Sequence, residues 1–66
     1  MTIVVNGTPR QIPDRASVAT LLVELKLDQR ACAVEVNRTI VPKPRHPEHV
    51  LAEGDRVEIV TLVGGG

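Results

Sequence analysis

The sequence predicts an α+β domain: a mixed sheet of about five strands with one main helix packed on one face. Three observations carry that prediction. β-branched or alternating runs occupy Thr2–Val5, residues 31–36 and residues 56–63. One stretch between them has helical spacing, with Val18, Leu21, Leu22 and Leu25 at i, i+3, i+4 and i+7. The helix has a single apolar stripe and the strands have one apolar face, so packing one across the other buries both.

The elements follow in order. The run Thr2–Val5 ends at Asn6-Gly7, a strong hairpin signal because both residues tolerate positive φ. Residues 8–12 therefore return antiparallel. Pro9 lies inside this second strand, which places it at a sheet edge, since proline lacks the N–H a central ladder needs. Ser17 is a good N-cap for a helix over residues 18–27. In residues 31–36, Cys32, Val34 and Val36 share one face and Ala33 and Glu35 the other, the pattern of a half-buried strand. Asn37-Arg38 turns the chain into a short strand over residues 39–41. Pro42, Pro44 and Pro47 stiffen the next loop, with a weakly signalled helical turn near residues 47–51. Glu53-Gly54-Asp55 is a turn. In the last strand, Val57 and Ile59 share a face opposite Glu58, and the alternation then breaks because Val60 and Leu62 are apolar on the Glu58 side. This strand is expected at the centre, parallel to the first. The arrangement is that of a ubiquitin-like β-grasp domain.

Composition narrows the function. At 66 residues the chain holds one domain. A chain of this size buries only about 60% of the surface its unfolded form exposes, so a deep catalytic cleft is hard to build. Phe, Trp and Tyr are absent, which makes the core aliphatic and rules out stacking platforms for single-stranded nucleic acid. Eight basic and eight acidic residues cancel, leaving no electrostatic footprint for a polyanion. A lone cysteine, Cys32, makes no internal disulfide, and the expected compartment is a reducing cytoplasm. The N-terminus lacks the pattern of a signal peptide, and no apolar run is long enough to span a bilayer. No nucleic-acid or membrane partner is expected, and the free chain is expected to be a monomer.

The feature that points to chemistry is Gly64-Gly65-Gly66. Frayed termini are commonly mobile, but they are ordinarily mixed and polar. Here glycine begins directly after an apolar strand and runs to the last residue. Without a Cβ, glycine fits a narrow channel. Three extended residues reach about 10 Å, enough to deliver a carboxylate into another protein's pocket. A free carboxylate is a poor electrophile and needs activation, most simply as an acyl-adenylate. A sulfur nucleophile could then convert it to a thiocarboxylate. Residues 1–63 are thus read as the folded domain and 64–66 as a flexible tail. Gly66 carries the group, and Gly64 and Gly65 provide reach and clearance.

Other features weigh less. Val60 and Leu62 are a docking patch on the strand leading to the tail, residues that a loop covers, or ordinary surface hydrophobes, and the sequence leaves these readings open. His46-x-x-His49 lacks thiolates and a third ligand, so a solvated loop is expected and no metal site. Cys32 shares a strand face with Val34 and Val36 and is expected to be buried rather than reactive. Pro44-x-x-Pro47 reads as loop stiffening rather than as a polyproline ligand. No nucleotide-binding loop, catalytic triad or carboxylate dyad is visible, so the chain is not expected to be an enzyme or to bind a cofactor.

The chain resembles the thiamine-biosynthesis sulfur carrier family, ThiS. The resemblance rests on Asn37, Ile40-Val41-Pro42, Glu53-Gly54-Asp55, Val57-Glu58-Ile59-Val60 and Val63-Gly64-Gly65-Gly66, together with length and element order. It implies that an E1-like, ThiF-like adenylyltransferase activates the Gly66 carboxylate with ATP. A cysteine-persulfide donor then supplies sulfur to form the thiocarboxylate, and a ThiG-like thiazole synthase takes that sulfur into the thiazole ring. Family members often carry an aromatic where His46 sits and another near Leu62. This chain has neither, a departure that bears on the partner contact. The small subunit of molybdopterin synthase also ends in Gly-Gly, but tends to be longer, often with prolines shortly before the glycines. Carriers for amino-acid or tRNA thiolation, a ubiquitin-like modifier joined to lysines, and an interaction module with an incidental tail are the other readings.

Overall fold

A computed structural model describes residues 1–62. Its first hairpin is set by Asn6 and Gly7, whose φ angles of 49° and 84° are the left-handed pair a two-residue type I′ turn requires. Strand β1 (Thr2–Val5) returns as β2 (Thr8–Gln11), with Val5 opposite Thr8 and Thr2 opposite Gln11. β2 lies at the edge of the sheet, where Pro9 is tolerated. The strand stops one residue short of the expected 8–12. Ile12 still pairs with Met1 through both backbone groups, at 2.9 Å and 2.8 Å, and its side chain is buried in the core.

Helix α1 (Val18–Glu24) starts where Ser17 accepts a hydrogen bond from the Thr20 N–H. It ends three residues before the expected position. Lys26 adopts φ 61°, and its N–H bonds the Val23 carbonyl while the Leu27 N–H bonds that of Leu22. This is a Schellman termination, with lysine where glycine is usual. Leu27 therefore packs back against the core rather than continuing the helix.

Strand β3 (Cys32–Val36) turns at Asn37-Arg38, with φ of 50° and 69°, into β4 (Thr39–Ile40). The helical turn expected near residues 47–51 forms earlier, as a 3-10 turn at Lys43–Arg45. Pro42 precedes it in an extended conformation, and its carbonyl accepts from the Arg45 N–H. Strand β5 (Arg56–Thr61) ends two residues before the expected position.

The strand order is β2-β1-β5-β3-β4. β5 is central, parallel to β1 and antiparallel to β3, as the sequence predicts. Ile3, Val34, Val36, Val57 and Ile59 face Val18, Leu21 and Leu22 of α1 in one aliphatic core, closed at its rim by Ile12, Ala16, Val41 and Leu51. Among the described residues, no helix is long and apolar enough to cross a membrane.

Candidate functional site

The site is built on the final strand. β5 alternates between buried Val57 and Ile59 and exposed Arg56, Glu58 and Val60. Val60 is 60% exposed and Leu62 59%, so neither is covered by a loop. Val60 lies directly opposite Ala33 of β3, and the Leu62 N–H bonds the Ala31 carbonyl. Val60, Leu62 and the small side chains beside them form an apolar strip on the sheet face away from α1.

The two edges of β5 are held differently. On the β3 side the ladder continues to Leu62. On the β1 side it is short, because β1 pairs only through Val4–Arg56 and Val5–Val57 before the chain turns away. The Asn6 side chain extends that edge. Its Oδ1 accepts from the Ile59 N–H at 2.8 Å, and its Nδ2 donates to the Ile59 carbonyl at 3.1 Å. The amide thus makes both bonds that a further β1 residue would make. Sequence reading assigned Asn6 to the turn alone. The missed signal is that an Asn in a left-handed turn position has its amide free to pair beyond the turn. At the other end of β5, Asn37 does related work: its Oδ1 accepts from the Arg56 N–H at 3.0 Å, and its Nδ2 donates to Asp55 Oδ1 at 3.0 Å.

The expected tail residues, Gly64, Gly65 and Gly66, lie outside the described residues, as does Val63. The described chain reaches Leu62, whose N–H bonds the Ala31 carbonyl at 2.8 Å.

The histidine loop differs from expectation. His46 is not solvated but 6% exposed, and its Nε2 lies 3.0 Å from the Val41 carbonyl. The physical reason is the helix beside it. The first N–H groups of α1 need acceptors from outside the helix. The Ala19 N–H finds the His46 carbonyl at 3.0 Å and the Val18 N–H that of His49 at 3.0 Å. Docking the loop on the helix start for these bonds carries the His46 ring inward. Pro44 sits within the 3-10 turn, so its segment is not extended as a polyproline ligand would be. Cys32 is half-buried rather than fully buried; it packs against the core and borders an open groove with Leu22, Val23, Lys43, His46 and Pro47. Among the described residues, no group of three or more His, Cys, Asp or Glu side chains is placed to hold a metal ion.

The family model of the ThiS family matches residues 3–66. The chain belongs to the ThiS family. The sulfur carrier protein ThiS of Escherichia coli (strain K12) is 29% identical over 66 residues, with full coverage of both chains. That of Bacillus subtilis (strain 168) is 38% identical over 53 residues, covering 80% of each. A crystal structure of the thiamine biosynthesis protein ThiS from Geobacter metallireducens superposes with a TM-score of 0.84 at 30% identity, each chain fully covered. The chain is also 42% identical over 66 residues to the thiazole synthase of Paramagnetospirillum magneticum, but spans only 20% of that relative's length. The mixed sheet with one helix is therefore the β-grasp fold of this family, as the sequence predicts.

Proposed function

We propose that the chain is a sulfur carrier, not an enzyme, and that it works through the carboxylate of Gly66 in the making of the thiamine thiazole. The observation that carries the reading is the placement of β5. The central strand of the sheet runs, with its far edge pinned at Ile59, toward Gly64-Gly65-Gly66. An E1-like adenylyltransferase joins the Gly66 carboxylate to AMP, releasing pyrophosphate. The outer sulfur of a cysteine persulfide then displaces AMP, joining carrier and donor as an acyl disulfide. A second thiol attacks the donor sulfur, breaks the S–S bond and leaves the donor in a disulfide while the carrier departs as a thiocarboxylate. ATP is the activating enzyme's substrate and is not held by this chain. Val60 and Leu62 form the apolar contact through which partners grip the strand before the tail, and Gly64 and Gly65 give clearance in the partner's channel.

Two relatives named thiazole synthase support such an enzyme as the sulfur acceptor. In each, a segment aligns with all 66 residues of this chain, at 42% and 33% identity, within a protein about five times longer. Carrier and acceptor joined in one chain need no diffusional encounter.

The test is co-expression with a cognate ThiF-like enzyme and a sulfur source, followed by intact-mass measurement. The expected product has one oxygen of the Gly66 carboxylate replaced by sulfur. An active adenylyltransferase that leaves the carrier's mass unchanged would overturn the reading. Isopeptide conjugates from Gly66 to lysines of other proteins would move it to the modifier class.

A further inference from the structure

We propose that Asn6 is a positioning residue for delivery of the tail: its side-chain amide fixes the last strand at Ile59 on the β1 side and so sets the course on which β5 runs on toward the glycines. The inference rests on the carrier reading but is carried by a separate observation. β1 pairs with β5 only as far as Val57, two residues before Ile59. Strand pairing alone would leave the Ile59 N–H and C=O open on that side. In the antiparallel ladder with β3, Leu62 bonds Ala31, which puts the hydrogen-bonded pairs at Val60–Ala33 and Glu58–Glu35. Ile59 is therefore a residue whose backbone groups point away from β3. Both of those groups meet Asn6, at 2.8 Å and 3.1 Å.

The choice of residue is specific. Position 6 has φ 49°, which few side chains other than Asn tolerate. Closing the turn needs only that tolerance, and Gly would provide it. Pairing with Ile59 needs one donor and one acceptor on the same short side chain, which Gly lacks and Asp supplies only in half. Past Ile59 no described residue bonds β5 from the β1 side. Asn6 thus marks the point where two-sided support ends and the lead to the glycines begins.

Three variants of the full chain test this. Asn6→Gly keeps the turn and removes the amide. Asn6→Asp keeps the acceptor but sets a carboxylate against the Ile59 carbonyl. Asn37→Gly removes the comparable side-chain bonds at the start of β5 and serves as the control. Hydrogen exchange should show the Ile59 amide opening about tenfold faster in Asn6→Gly than in the natural chain, and unchanged in Asn37→Gly. In adenylation by a cognate ThiF-like enzyme, KM for the carrier should rise about fivefold in Asn6→Gly with kcat unchanged, because the partner must then order the strand itself. Asn6→Asp should match or exceed Asn6→Gly in both readouts. Unchanged Ile59 exchange in Asn6→Gly would overturn the proposal. So would an equal rise in KM for Asn37→Gly, which would reduce Asn6 to a general stability role. Failure of the natural chain to be adenylated at all would strike the carrier reading, while the exchange result would still decide the placement of Ile59.

Discussion

Consider the exposed strip at Val60 and Leu62, changed to Val60→Thr and Leu62→Gln. Threonine keeps the shape and strand preference of valine, and glutamine keeps the length of leucine, so the sheet is preserved and the apolar contact is lost. Fully burying a Val or Leu side chain is worth about 1.5–3 kcal/mol. Val60 and Leu62 are 60% and 59% exposed, so about that share remains for a partner to bury. This gives roughly 1 kcal/mol or a little more for each side chain. The double variant should therefore bind an adenylyltransferase about 30-fold more weakly, from roughly 2 kcal/mol in all. Stability should hardly move, because exposed side chains away from the core change it by at most about 0.5 kcal/mol. Titration calorimetry gives the affinity. Far-UV circular dichroism gives the melting temperature, the chain having no Trp or Tyr to follow by fluorescence. Unchanged affinity in the double variant would refute the docking role. So would a loss of affinity matched by an equal loss of stability.

Two further outcomes test the core and the loop. Leu21→Ala, at a fully buried position between helix and sheet, should cost about 2–5 kcal/mol. In a domain of this size that is enough to leave much of the chain unfolded at room temperature, read as lost cooperativity in urea. His46→Ala removes a buried ring and its bond to Val41 and should cost about 2 kcal/mol, lowering the melting temperature by roughly 10 °C. His49→Ala, which keeps the backbone carbonyl that Val18 uses, should cost far less; equal losses from the two would contradict the buried role of His46.

Most of the fold was legible because its signals are local. Asn6-Gly7 carries its own turn chemistry, Ser17 its own cap, and the periods of Val18, Leu21 and Leu22 and of Val57 and Ile59 name the buried faces. The errors fall where a local signal was missing. Lys26 ends the helix in a conformation usually given to glycine, and nothing in Lys26-Leu27 announces it. His46 sits among prolines and charges, and its burial follows from the needs of N–H groups at Val18 and Ala19, nearly thirty residues earlier. The site divides in the same way. Val60 and Leu62 were visible as a break in alternation, whereas Asn6 was visible only as a turn residue. Its pairing with Ile59 spans more than fifty positions and has no signature in either neighbourhood.

The central place of β5 also orders the protein's birth. During synthesis β1 emerges early, yet its parallel partner is made more than fifty residues later. β3 likewise waits for its main neighbour. Neither half of the sheet can close until residues 56–61 have left the ribosome, and non-local pairing of this kind is slow to form. A chain broken off before that strand keeps two unpaired inner edges, which makes it sticky and open to proteases. The strand that leads to the glycines is thus the one that completes the fold. A copy cut short before residue 56 lacks the central strand as well as the glycines, so the sheet and the tail are lost together.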